Sequence, residues 1–326
     1  MKLSPTSGQA TQKSSLIMQT KVIKKAVLEN IPSASGVEVV DGMIYIIGDD
    51  SKYLFKLKYN LELLEKIELF KSDSEYKIPK SEKPDLECMT VVTINNYKHL
   101  LIFGSGSTDK RNKVFLVKLP TKYNKNHFVQ QFDLTEFYKL LQSNYEITGG
   151  ESLNLEAAAS DDHHLYLFNR ANRKGRNSIM VIKLEEFIPY LCEGSQLVPF
   201  PFVKTYHLPQ IGGVPAGFSG ASVFGKRLYF TASAEDTDNA YLDGIVAGSH
   251  VGIFELGEFD YLRGGMNNLL PDEFQIGPIN DNGQLYKGKI ESISIFEEES
   301  SKETIAIAVT DNDAGDSELL MLSVNF

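Results

Sequence analysis

SGVEVVDGMIYIIGDD, residues 35–50, holds two short apolar runs that meet at Asp41-Gly42 and end on Asp49 and Asp50. Apolar runs of this length argue for β-strands, and Asp-Gly between them is hairpin chemistry. Ser35 stands fourteen positions before Asp49. The same offset separates Glu156 from Arg170 in EAAASDDHHLYLFNR and Ser219 from Ser233 in SGASVFGKRLYFTAS. Longer versions begin at Glu87 in LECMTVVTINNYKHLLIFGSGS and at Glu291 in IESISIFEEESSKETIAIAVTDND. A supersecondary unit repeated roughly every fifty to seventy residues cannot bury its apolar faces alone, so copies must stack or close into a ring.

Each unit extends into further strands. The first reads SGVEVV, MIYIIGD, YLFKLKY and LEKIELF; the second LECMTVV, HLLIFG, KVFLVKL and HFVQQFDL. The third reads LEAAAS, HLYLFN, SIMVIKL and PFVKTYHL; the fourth GASVFG, RLYFTA, VGIFEL and EFQIGPI. The fifth supplies only IESISIF, TIAIAVT and LLMLSVN, and the apolar segment around residues 17–29 belongs to no other unit. Pairing that segment with the last unit would remove an exposed sheet edge. The expected architecture is therefore all-β, a five-bladed β-propeller closed by an N-terminal strand. It would occupy residues 20–326 as a single domain, with residues 1–19 as a disordered tail. The competing arrangement is two packed β-domains. Helices are expected only at 134–143 and 184–191, as insertions.

The chain carries a net charge of −10, which argues against nucleic acid and favours cations or small ligands held by local positive groups. Two cysteines, Cys88 and Cys192, cannot form a disulfide framework. No apolar run approaches the roughly 18 residues that span a bilayer. The first residues, MKLSPTSGQATQKSS, have no apolar core of a secretory leader. A cytoplasmic monomer is the expectation, or an exported one if a leader has been removed.

The first strand of every propeller blade lines the central channel. The repeat then places Ser35, Glu87, Glu156, Ser219 and Glu291 around one axis. Glu38 falls three residues out of phase. Three carboxylates converging in a partly dry channel repel by several kcal/mol unless protonated or bridged by a cation. Oxygen-only donors suit calcium, which accepts about 6–8 flexible oxygens; magnesium is stricter. The competing reading is that each Glu pairs with a Lys or caps backbone amides. A second polar layer follows the second strands: Asp49, Asp50 and Ser51; Ser105, Ser107 and Arg111; Asn169, Arg170, Arg173 and Arg176; Ser233, Glu235 and Asp236; Asp311 and Asp313. NRANRKGR concentrates arginines that grip phosphate or carboxylate bidentately, although a hairpin tip is often merely solvated. GSGST lacks the Lys and the helix of a P-loop.

The runs PSASGVEVVDGMIYIIGDDSKYLFKL, IPKSEKPDLECMTVV and LLIFGSGST resemble an uncharacterised family of bacterial propeller proteins with no assigned activity. The order Ser, Glu, Glu, Ser, Glu around five blades more distantly resembles the calcium-activated nucleotidases, the apyrases. That resemblance implies a five-bladed propeller with calcium in its channel, held by Ser35, Glu87, Glu156, Ser219 and Glu291. It also implies that Asp49 and Asp50 face a nucleotide. The chain departs from that family in having no tryptophan, and in its loops in units two and four.

Two classes of function follow. One is a scaffold with a calcium site that binds a small anionic ligand or a protein partner. The other is a calcium-dependent phosphohydrolase, with Asp49 or Asp50 as general base and Arg111, Arg170, Arg173, Arg176, Ser105 and Ser233 at the substrate. A lactonase or esterase is a third variant.

Overall fold

The computed structural model describes residues 18–74, 77–171, 175–236, 245–257, 269–300, 303–311 and 317–326. Arg173 and Asp313, both singled out above, lie outside the described residues.

The chain is all-β, with three small α-helices among the described residues. After β1 (Gln19–Leu28) come three antiparallel four-stranded sheets. The first is β2 (Ala34–Val40), β3 (Met43–Gly48), β4 (Tyr53–Leu57) and β5 (Leu63–Glu68). The second is β6 (Leu86–Ile94), β7 (Tyr97–Gly104), β8 (Lys113–Lys118) and β9 (Phe128–Asp133). The third is β10 (Leu155–Ser160), β11 (His164–Asn169), β12 (Asn177–Lys183) and β13 (Phe202–Tyr206). The rest of the chain forms one extended sheet. Half of it is β14 (Ala216–Phe224), β15 (Arg227–Asp236), β16 (Ile245–Glu255) and β17 (Gln275–Asp281), with β18 (Gln284–Leu285) folded onto β17. The other half is β19 (Lys289–Ser300), β20 (Glu303–Asp311), β21 (Ser317–Asn325) and then β1. Among the described residues the strand pairing passes from one half to the other where β1 runs parallel to β17 at Thr20–Ile279 and Lys21–Asn280.

The N-terminal segment forms a strand beside the last one of the chain. β1 pairs with β21 from Gln19–Asn325 to Leu28–Ser317. This ladder begins at Gln19, inside the stretch expected as tail.

Five apolar clusters fill the spaces between neighbouring sheets. Along β11, Leu165 and Leu167 enter the cluster shared with the second sheet, while Tyr166 and Phe168 enter the cluster shared with β14 and β15. A strand buried on both faces needs no polar alternate, which is why HLYLFN and MIYIIG read as continuous apolar runs. The expected helices appear as α1 (Thr135–Ser143) and, after α2 (Tyr145–Thr148), α3 (Leu184–Cys192). The single-turn α2 escaped the sequence reading; the Asn144 side chain starts it by accepting from the Glu146 amide at 2.9 Å. No helix among the described residues is long and apolar enough to cross a membrane.

The inner strands β2, β6, β10, β14 and β19 each pack against the next, and β19 packs against β2. Each has its pairing register broken at one repeated residue: Ser35, Glu87, Glu156, Ser219 and Glu291. A β-bulge leaves one residue unpaired and bends the strand. The recurring sequence position is therefore a recurring bulge. Inner edges expose unpaired amides and carbonyls, and hydroxyls of the neighbouring strand satisfy several of them. Ser35 donates to the Leu86 carbonyl at 2.5 Å. Ser292 and Ser294 accept from the Val37 and Val39 amides at 3.1 and 3.0 Å.

Close approach at the seam between β14 and β19 depends on Gly220. A Cβ there would stand 2.7 Å from Ser292 Cα and 2.9 Å from the Ile293 nitrogen. Gly220→Ala is expected to lower stability by about 1–3 kcal/mol through overpacking. Urea unfolding would show a lower midpoint at unchanged slope. An unchanged midpoint would mean that the strands shift freely.

Candidate functional site

Where the inner strands begin, a cavity of about 1260 Å³ opens, lined by residues from all five repeated units. The bulges set its floor. Glu87, Glu156 and Glu291 all line it, as does Ser35. Two residues before each bulge residue stand Ser33, Asp85, Asn154, Gly217 and Lys289. Their equivalence follows from register: the amides of Asp49, Ser105 and Arg170 donate to the carbonyls of Ser33, Asp85 and Asn154, and Gly217 and Lys289 pair with Ser233 and Asp311. Ser33 and Asp85 adopt φ of +46° and +56°, a left-handed turn that starts each inner strand.

The charges alternate rather than accumulate. Lys83 contacts Asp49 and, at 2.9 Å, Asp85. Arg111 Nη1 donates to Asp85 Oδ2 at 2.6 Å and to Ser107 Oγ at 2.8 Å. Arg170 lies between Glu156, at 3.6 Å, and Glu235, at 3.4 Å. Lys289 contacts Glu235 at 3.4 Å and Glu291 at 3.0 Å. Asn154 Nδ2 donates to Glu156 at 2.6 Å. The Lys partner that the sequence offered as the alternative to a metal is present beside Glu291, and an arginine, Arg170, takes that place beside Glu156.

Glu87 differs. Among the described residues it has no ion pair or hydrogen-bond donor on its carboxylate. One of its oxygens, one of Asp49 and one of Asp85 lie within 4.8 Å of one another. Burial, then Asp85, Glu156 and Asp49, push the Glu87 carboxyl well above its ordinary range. Burial pushes Asp49 up to about 6 against the pull of Lys83. Burial pushes Glu291 up to about 7, opposed by Lys289 and aided by Glu156. Burial would lower Lys83, but Asp49, Asp85 and Glu87 outweigh it and raise it. Asp49 Oδ1 is buried with no hydrogen-bond partner among the described residues. An orphaned carboxylate oxygen beside an unpaired carboxylate fits a hard, oxygen-seeking cation.

Other sequence-selected residues fall on and off this surface. Asp50 lines the cavity but is held by Ser33 Oγ at 3.2 Å and Lys77 at 3.2 Å. Arg111, Arg170 and Arg176 line it, the last lying 4.9 Å over the Tyr145 ring. Ser105, Ser219 and Ser233 do not. Ser105 is fully buried and donates to Asp85 at 2.6 Å. Ser219 donates to Thr231 at 3.1 Å and lies 3.2 Å from Ser233. Ser233 in turn bonds Ser249 at 2.8 Å and the Ile290 carbonyl at 2.9 Å. These hydroxyls join β14, β15 and β16 to β19. Ser219 and Ser233 spend their hydroxyls on that seam and Ser105 spends its own on Asp85, so these three stand off the cavity wall that Ser35, Glu87, Glu156 and Glu291 line. Glu38 also stays off the cavity wall and accepts from Ser294 at 3.0 Å.

Asp85, Lys83 and Lys289 escaped selection in the sequence, although each had a signal. Asp85 and Lys289 precede bulge positions by two, and KSEKPDLE places Lys83 two before Asp85.

A family model for a family of unknown function, DUF6929, matches residues 30–324. No curated protein matches the chain. Among solved structures, Myxococcus xanthus glutaminyl cyclase is similar with a TM-score of 0.47 and 8% identity, covering 94% of this chain and 97% of that one. The α-L-arabinanase of Cellvibrio cellulosa complexed with arabinohexaose gives 0.45 and 11%, covering 92% of each chain. The catalytic domain of the Coprinopsis cinerea GH62 α-L-arabinofuranosidase gives 0.46 and 10%, covering 94% and 96%.

Proposed function

We propose that this chain, which belongs to the DUF6929 family of unknown function, is a five-bladed β-propeller closed by β1 that binds a small polar ligand at one mouth of its channel. A divalent cation, calcium by donor chemistry, is held there by Asp49, Asp85 and Glu87. The observation that carries this reading is the convergence of those three carboxylates within 4.8 Å on a cavity wall. The closed ring is supported by the cyclic packing of the five inner strands and by the β1–β21 ladder.

This ion site replaces the ring of Ser35, Glu87, Glu156, Ser219 and Glu291 with a lateral one that keeps only Glu87. Glu156 and Glu291 have their own cations, and Lys83 is the group with which calcium would compete. When bound, calcium would supply a Lewis-acidic centre for an anionic or hydroxyl-bearing ligand. The chain's own residues orient that ligand: Arg111 and Arg170 are fixed by carboxylates and present rigid positive walls.

Calorimetric titration of calcium into EDTA-treated protein is expected to show about one equivalent. Glu87→Gln should weaken it at least tenfold, because the amide offers one neutral oxygen where a carboxylate stood. The Glu87 carboxylate has no ion pair or hydrogen bond to lose among the described residues, so the fold of the variant should persist. Equal calcium affinity in wild type and Glu87→Gln would remove this reading. Phosphate release from nucleotides or esters in the same calcium buffer would extend it to a hydrolase.

A further inference from the structure

A second hollow of about 300 Å³ opens beside the main cavity, lined by Lys80, Ser81, Lys83, Thr108, Lys110 and Arg111. Four of the six are cations and none is acidic. Glu82 and Asp109 are neighbours in sequence but do not line it. Lys80, Lys83 and Arg111 line both spaces, so the hollow is a side chamber of the main cavity.

The inner pair of cations is already anchored from the cavity side. Lys83 contacts Asp49 and Asp85, and Arg111 contacts Asp85. Lys110 brings a further positive charge into a chamber with no acidic wall among the described residues, in a chain whose net charge is −10. Arg111 meets Asp85 and Ser107 through Nη1 alone, which fixes the guanidinium plane. Lys110 Nζ donates to the Ser81 carbonyl at 3.0 Å; this positions the ammonium without neutralising it. Preset cations of this kind, with the Ser81 and Thr108 hydroxyls beside them, bind multiply charged oxygen anions.

We infer that the side chamber is a subsite for a doubly charged oxyanion group, carried by a small molecule whose remainder occupies the main cavity. The inference deepens the ligand-binding reading but does not require the calcium site. It names the ligand class: an anion with an oxyanion head, recognised by lysine and arginine rather than by the carboxylate cluster.

The test is calorimetric titration of inorganic phosphate into the full chain in EDTA at low salt. Malonate and acetate serve as comparison anions. Saturable phosphate binding, at least tenfold weaker in Lys80→Ala/Lys110→Ala, is the expected result. Both positions are exposed, so circular dichroism and melting should match wild type. Malonate matching phosphate would support a dicarboxylate head, and malonate far weaker would support a phosphate head; acetate should be weak in both cases. Phosphate binding that is absent, or undiminished in the double variant, would overturn the assignment. Because no calcium is present, a failed calcium titration leaves this result standing, and the reverse also holds.

Discussion

Glu38→Gln is expected to make the protein more stable at pH 8, by about 2–4 kcal/mol, and to leave it little changed near pH 4.5. Glu38 is 7% exposed. Burial pushes its carboxyl up to about 8, opposed only by bonds from Ser294 and the Val39 amide. The unfolded chain ionises Glu38 near its ordinary value of 4.5, while the folded chain keeps it protonated until about 8. The folded state therefore holds the extra proton, and its advantage is full below about 4.5. Wild-type stability falls as pH rises from there through about 8, then levels. Glutamine has the same length and can still accept from Ser294, yet it carries no charge to desolvate. Urea unfolding from pH 4.5 to 9 should give a falling wild-type curve and a flatter variant curve. Two parallel curves would show that Glu38 ionises without cost in the fold.

Arg170→Met should lose about 3–5 kcal/mol, the usual cost of removing one partner from a buried charge cluster. Arg170 lies between Glu156 and Glu235, whose side chains are 11% and 10% exposed. Its stem fills the space over Gly217, where a Cβ would come within 2.5 Å of Arg170 Cγ. Methionine replaces much of that stem but leaves both carboxylates facing each other with less positive charge between them. Adding Glu156→Gln to Arg170→Met should recover part of the loss, because one of the stranded charges is gone. If the double variant is no more stable than Arg170→Met, the loss comes from packing rather than charge. The same comparison tests whether neutralisation by protein cations, rather than by a metal, holds the Glu156 side of the cavity together.

The repeated offset was legible in the sequence because register is a local property. Fourteen residues from Ser35 to Asp49 are two strands and a tight turn, and bulge and strand end follow from that spacing. Adjacent apolar clusters were legible for the same reason, through the unbroken runs of the second strands. The fate of the hydroxyls was not. Ser35, Ser219 and Ser233 occupy repeat positions indistinguishable in sequence from a ligand set, yet Ser35 and Ser233 bond across seams to Leu86 and Ile290, and Ser219 bonds Thr231 on the neighbouring strand. Those partners lie 12 to 57 residues away.

Taken alone, the chain determined what is repeated: strand length, bulge position and the supply of an N-terminal strand that belongs to no unit, all set by apolar periodicity and turn residues within a few dozen positions. Tertiary structure decided which charge meets which. Lys83 of the second unit meets Asp49 of the first, and Arg170 of the third and Lys289 of the fifth both meet Glu235 of the fourth, while the packing of the inner strands leaves the Glu87 carboxylate with no ion pair or hydrogen bond among the described residues. Coulomb energy depends on separations of a few ångströms, and those separations are fixed by strands that are far apart along the chain.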